Sequence, residues 1–201
     1  MSNSNHHFIE SLQQIKAVCS PIRQEIMDTV IVKGKCSITE IADDLGRPAD
    51  GLYYHMKALI KEQLLIAVGE NKNNPRQETL YSLTKEGSLI EVKYNQTDAQ
   101  KVQAINKMVK SMLKISMKDF ENGLTHTGAV FEGESRNLWA ARIKSRLNQK
   151  QIKKANYHLQ ELLSIFKGTK NSKDKNDYSS KNLYALQWVL APVKAQPKRR
   201  K

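Results

Sequence analysis

The chain has 201 residues, with 33 Lys+Arg against 20 Asp+Glu, a formal net charge of +13 at pH 7. A hydrophobic share of 39% and a charged share of 26% fit a globular chain of one or two domains and exclude wholesale disorder. No stretch approaches the roughly 18 uninterrupted apolar residues of a membrane span, the start lacks a basic-then-apolar leader pattern, and only Cys19 and Cys36 are available for a disulfide; the expectation is a cytoplasmic protein with no membrane contact.

The elements follow in order. Phe8, Ile9, Leu12 and Ile15 recur at helical spacing and predict a helix over 8–18. Pro21 suits a first helical position, and Ile22, Ile26, Val30 and Ile31 give the next helix its apolar stripe, ended by Lys33-Gly34-Lys35. Ser37-Ile-Thr-Glu40 has the form of a capping box, opening a short helix closed by Gly46. A fourth helix is predicted from Arg47-Pro48 to about Glu62, then two alternating segments, 64–68 and 79–83, make a hairpin with a long polar tip.

The second half reads differently. A long helix over 98–122 carries Val102, Ile105, Val109, Met112, Leu113 and Phe120 on one side and lysines on the other. Residues 123–134 read as a loop holding a short apolar patch, 136–146 as a helix, and Asn148-x-x-Gln151 as a capping box for a helix through Phe166. Residues 168–181 are polar loop, 182–191 alternate as a strand, and a basic tail follows. The expected fold is therefore mainly α with small β: a winged helix-turn-helix domain over 1–95, then a helical dimerisation or regulatory domain over 96–201 with one or two strands.

Two helices joined by a tight glycine-containing turn and followed by a hairpin are the layout of a winged helix-turn-helix, whose second helix enters the DNA major groove. On a helical wheel with Leu52 as origin, Met56, Leu59 and Ile60 cluster as the buried side, while Asp50, Tyr54, Lys57 and Lys61 fall opposite, with Gly51, Tyr53 and His55 on the flanks. Lysines and tyrosine hydroxyls donate to phosphates, and an aspartate accepts from a cytosine amino group. The candidate DNA-binding residues are Arg47, Ala49, Asp50, Tyr53, Tyr54, His55, Lys57 and Lys61, with Lys72 and Arg76 in the wing. Asp50 is equally a charge serving the helix dipole, and His55 and Tyr53 are equally packing residues.

The charge distribution complicates this reading. Residues 1–95 carry 11 Lys+Arg and 12 Asp+Glu, so the basic excess lies wholly in 96–201, with 22 and 8. Lysines opposite an apolar stripe form a solvated face or extend a DNA footprint. The alternatives are a protein-interaction module using the winged helix as scaffold, or a non-specific nucleic-acid binder working through the basic half.

From Ser20-Pro21-Ile22-Arg23 to Tyr81-Ser82-Leu83, with "SITEIADDLG" and "LYYHMKALIKEQLL" between, the chain resembles the ArsR-like winged-helix transcriptional regulators of bacteria over about 65 residues. The resemblance implies a homodimer that reads an inverted repeat in double-stranded DNA. Metal sensing is not expected. The Cys-x-Cys pair of the metal-sensing members is missing from Ser37–Leu45, and the spacing His158-Leu-Gln-Glu161 has no D-x-H partner motif. A site for a small-molecule effector, if one is used, would sit in the large C-terminal half. No phosphate-binding loop, dinucleotide fingerprint, H-E-x-x-H or G-x-S-x-G motif is present, so no enzyme and no cofactor are expected.

Overall fold

A computed structural model of the protein describes residues 7–9, 11–71, 77–84, 90–92, 98–168 and 182–193. The described chain is mainly helical with a small three-stranded antiparallel sheet. Helix α1 spans Leu12–Ala17, α2 Pro21–Lys33 and α3 Ile38–Leu45. A 3₁₀ turn at Ala49–Leu52 then leads into α4, Tyr53–Lys61. Strands β3 (Leu65–Glu70) and β4 (Thr79–Leu83) form the hairpin, and β2 (Cys36–Ser37) pairs with the other edge of β4. β1 (His7–Ile9) lies parallel to β5 (Ile90–Val92). The long helix α5 covers Ala99–Leu124 and α6 covers Gln149–Gly168.

The predicted first helix is shorter than its apolar spacing suggested. Ser11 caps it, accepting from the Gln14 amide at 3.0 Å, so the chain before Ser11 is free to run as β1. The capping box at α3 forms as read: Glu40 N donates to Ser37 Oγ at 3.2 Å and Ser37 N donates to Glu40 Oε2 at 2.7 Å. Ser37→Ala is expected to cost about 1 kcal/mol, visible as a lowered thermal midpoint with the fold unchanged. Gly46 ends α3 with φ of 59°, and the Arg47 amide reaches back to Ala42 O at 2.9 Å, which sets the tight turn. The predicted fourth helix is divided because Pro48 is held extended, at φ −66° and ψ 136°, so the chain re-enters helix through one 3₁₀ turn.

One hydrophobic core unites these elements. Ile15, Ile26, Val30, Ile41, Leu52, Leu59, Leu64 and Leu65 are fully or almost fully buried, and Ala104, Ile105 and Met108 of α5 join them. The first half of α5 is thus part of the same core as the helix-turn-helix. Its buried face overlaps the expected one in part: Ile105 is buried and Val109 packs against the core, but Val102, Met112 and Leu113 are exposed, while Ala104, Met108 and Ser111 are buried. Small side chains let the backbones approach closely enough for polar contacts. Cys19 Sγ donates to Ala104 O at 3.3 Å and Gln24 Nε2 to Met108 O at 3.3 Å.

The C-terminal half departs further from expectation. Helix α6 forms with its capping box, Asn148 and Gln151 exchanging two bonds of 2.9 Å. Residues 136–148, expected as helix to 146, carry no helix, turn or bend, and 182–193, expected as a strand to 191, pair with no other strand among the described residues. The short apolar patch at 129–131 is likewise outside any strand. A strand requires a neighbouring edge for its backbone groups, and none is offered to these segments. Trp139 is 65% and Ile143 88% exposed, so these two apolar side chains of the predicted helix do not reach the core.

Candidate nucleic-acid interface

Helix α4 is seated by Leu52, Met56 and Leu59, which are 2%, 2% and 0% exposed. That anchoring turns the opposite side outward. Tyr54 is 73% exposed, and Lys57 and Lys61 also face solvent. Their spacing of three and four residues aligns Tyr54, Lys57 and Lys61 along one ridge. Asp50 is exposed on the 3₁₀ turn rather than in the helix itself, Ala49 is half-buried in the same turn, and Tyr53 is 47% exposed. Ile60, expected on the buried side, is 36% exposed, because only the Leu52–Met56–Leu59 row meets the core.

The wing lies next to this helix in sequence and shares its core through Leu64 and Leu65. Beyond Leu65 every residue of β3 is exposed. A register shift between Ala67 and Gly69 bends the hairpin, and it occurs where Gly69 adopts φ of 139°, a conformation that a side chain would strain. Thr39 Oγ1 donates to Glu78 Oε1 at 2.6 Å, tying the start of α3 to the returning arm of the hairpin. Lys72 and Arg76 lie outside the described residues.

Arg47 and His55 occupy more constrained positions than the sequence suggested. Arg47 NH2 donates to Glu25 Oε2 at 3.1 Å, and the other oxygen of Glu25 takes Lys118 Nζ of α5 at 3.1 Å. The Glu25 side chain is only 12% exposed, so it is a largely buried acceptor joining α2, the helix-turn-helix turn and α5. Sequence patterning could not find this link, since Glu25 and Lys118 are 93 residues apart. His55 is half-buried, edge-on to the Tyr54 ring at 5.5 Å, and its Nδ1 meets no hydrogen-bond partner among the described residues. Burial, and then the nearby Arg23 and Arg47 cations, hold its pKa below the ordinary histidine value and favour the neutral ring.

Beside Glu25 two further carboxyls face each other across α2 and α5. Burial, then Asp119 and Glu25, push Asp28 up to about 7, and burial also raises Asp119. The Asp28 side chain is itself exposed to solvent, which screens the effect and reduces its weight in stability. A carboxyl whose folded pKa exceeds its unfolded value of 3.8 stabilises fully below that value and loses the contribution as pH rises to about 7. Asp28→Asn is therefore expected to lose less thermal stability than wild type between pH 5 and pH 8. Equal losses in the two proteins would contradict this assignment.

Elsewhere the chemistry-bearing residues pair locally. His158 Nδ1 lies 3.2 Å from Glu161 Oε2, and Tyr157 donates to the other Glu161 oxygen at 2.6 Å. No group of three His, Cys, Asp or Glu able to hold a metal occurs among the described residues. Cys19 and Cys36 are buried free thiols, and burial pushes Cys36 up to about 11. No helix among the described residues is long and apolar enough to cross a membrane.

No family model and no curated protein matches the chain. Among solved structures, two of a double mutant of Lactococcus lactis ZitR, one of them in apo form, are similar at 14% identity. They cover 72% of this chain and 81% and 73% of their own, each with a TM-score of 0.27. The functional reading therefore rests on the geometry of α3, α4 and the hairpin.

Proposed function

We propose that the protein is a sequence-specific DNA-binding transcriptional regulator of the ArsR-like kind, acting as a homodimer on an inverted repeat. The observation that carries this reading is the outward ridge of Tyr54, Lys57 and Lys61 on a helix anchored by Leu52, Met56 and Leu59. A helix held this way behind a glycine turn is built to enter a major groove. In this reading Lys57 and Lys61 contact phosphates and Tyr54 reaches base edges. Asp50, Tyr53 and Ala49 border the groove at the helix start, and Lys72 and Arg76 of the wing hold the backbone.

Two residues take a lesser part in this reading. Arg47 reaches DNA only by leaving or sharing Glu25, so its charge is partly committed to the fold. Neutral His55 supports α4 by packing. Residues 1–95 are proposed to bind DNA and 96–201 to dimerise, although α5 also completes the core of the first part, so truncation at residue 95 would remove core side chains.

Tyr54→Ala is expected to reduce discrimination between operator and random DNA by roughly 5- to 100-fold, the range a lost base contact gives, while affinity for random DNA stays close to wild type. Competition binding with both DNAs measures this. Unchanged discrimination would remove α4 from the role of reading helix.

A further inference from the structure

Two straight segments of the C-terminal half leave their backbones unpaired. Residues 139–147 and 182–193 contain no helix, turn or bend, and among the described residues none of their backbone groups bonds to another backbone group. Backbone donors and acceptors that lie against protein are almost always paired in a completed structure. Water can serve them here only because the segments are exposed, which leaves their apolar side chains exposed as well.

The side-chain pattern is that of strands. In 139–147, Trp139, Ala141, Ile143, Ser145 and Leu147 alternate with Ala140, Arg142, Lys144 and Arg146, giving one mostly apolar and one basic face. Residues 182–193 contain no charged side chain and only Asn182 and Gln187 as polar ones, and both faces are mainly apolar until Pro192 ends the run. A two-sided apolar strand suits the interior of a sheet, and a strand with a basic outer face suits its edge.

Both segments also expose large apolar side chains. Trp139, Ile143, Leu183, Tyr184 and Val189 are 65%, 88%, 80%, 50% and 61% exposed. With Leu147, Leu186, Trp188, Leu190 and Val193 they present on the order of 1,000 Å² per chain, taking roughly 150–250 Å² for a whole aromatic side chain, somewhat less for an aliphatic one, and scaling by exposure. Stable interfaces bury about 800 Å² per partner, so this area is enough for one.

We infer that a second copy of this chain covers this surface, residues 139–147 of each copy pairing as β-strands with residues 182–191 of the other. The occupant is assigned as a second copy because the two segments do not pair within the chain and the area they expose matches what a dimer buries. Reciprocal exchange closes as a two-fold dimer in which each contact occurs twice. Charge favours the same place of meeting. Each 96–201 half carries 22 Lys+Arg against 8 Asp+Glu, and the uncharged 182–193 run is where two such halves approach with least repulsion. The starts of the two segments already lie together within one chain, Asn137 Nδ2 standing 3.5 Å from Tyr184 Oη, and Gln187 is hydrogen-bonded to Ser116 on α5. The second segment is thus tied to α5, and the first starts beside it.

This inference deepens the homodimer of the proposed function and is independent of whether α4 reads DNA. The test combines sedimentation equilibrium of the full chain with amide hydrogen exchange at the same protein concentrations. The expected result is a dimer whose 139–147 and 182–191 amides are protected and lose protection on dilution to monomer. A monomer at every concentration, a dimer whose amides in these runs exchange freely, or protection that persists in the monomer would each overturn it. Val189→Pro removes one ladder donor at an exposed position and is expected to weaken self-association at least tenfold while the core melts as in wild type. Undiminished association in that variant would also overturn the pairing. Failure here leaves operator selection by α4 intact, and failure of operator selection leaves the dimer result intact.

Discussion

Leu59→Ala is expected to destabilise the protein by about 3 kcal/mol, whereas Ile60→Ala one residue later costs under about 1 kcal/mol. Leu59 is 0% exposed in the core shared by α2, α3 and α5, and its truncation leaves a cavity that rigid neighbours cannot close. Ile60 is 36% exposed and loses little on truncation. A loss of about 3 kcal/mol corresponds to a thermal midpoint lowered by roughly 6–12 °C in a chain of this size. Denaturant unfolding of the two variants gives the difference directly. Because Leu59 positions the ridge of α4, the destabilised variant should also bind DNA more weakly, in proportion to the fraction unfolded. Equal costs at the two positions would mean that α4 is rotated from the orientation that turns Tyr54, Lys57 and Lys61 outward.

The second large effect concerns charge. Replacing Lys57 and Lys61 together with Glu is expected to weaken operator binding about 100-fold or more at physiological salt. It should also reduce the slope of log affinity against log salt by about 2, one for each lost phosphate contact. Both lysines are exposed and make no ion pair among the described residues, so stability should change by less than about 0.5 kcal/mol. The first 95 residues have 11 basic and 12 acidic side chains, so the proposed reading requires the outward lysines of α4 to supply a large share of the attraction. Binding that survives the double reversal would move the interface to the lysines of 96–201.

The contrast between the two halves explains which parts of the fold were legible in the sequence. Capping side chains, Pro21, Gly34 and Gly46 act within a few residues of themselves, so α2, α3 and the hairpin follow from local chemistry. The outward ridge of α4 follows from the same kind of evidence, a helical period over one short segment. The buried face of α5 was legible only in part: Ile105 and Val109 follow from apolar spacing, but its other contacts use Ala104 and Ser111, which a hydrophobic count passes over in favour of Met112 and Leu113. The Glu25 link to Arg47 and Lys118 depends on long-range packing and leaves no periodic trace. At 136–146 a helical spacing of Leu138, Trp139, Ala140 and Ile143 coexists with a strand-like alternation from Trp139 onward. Only a packing partner decides between such periods.

Selection of bound fragments from genomic DNA, with purified full-length protein, excess random competitor and near-physiological salt, tests the central claim most directly. The account predicts recovery of a shared inverted repeat with half-site centres one helical turn, about 10–10.5 base pairs, or a multiple of it apart. Fragments recovered without any common sequence would contradict the reading of α4 as a recognition helix.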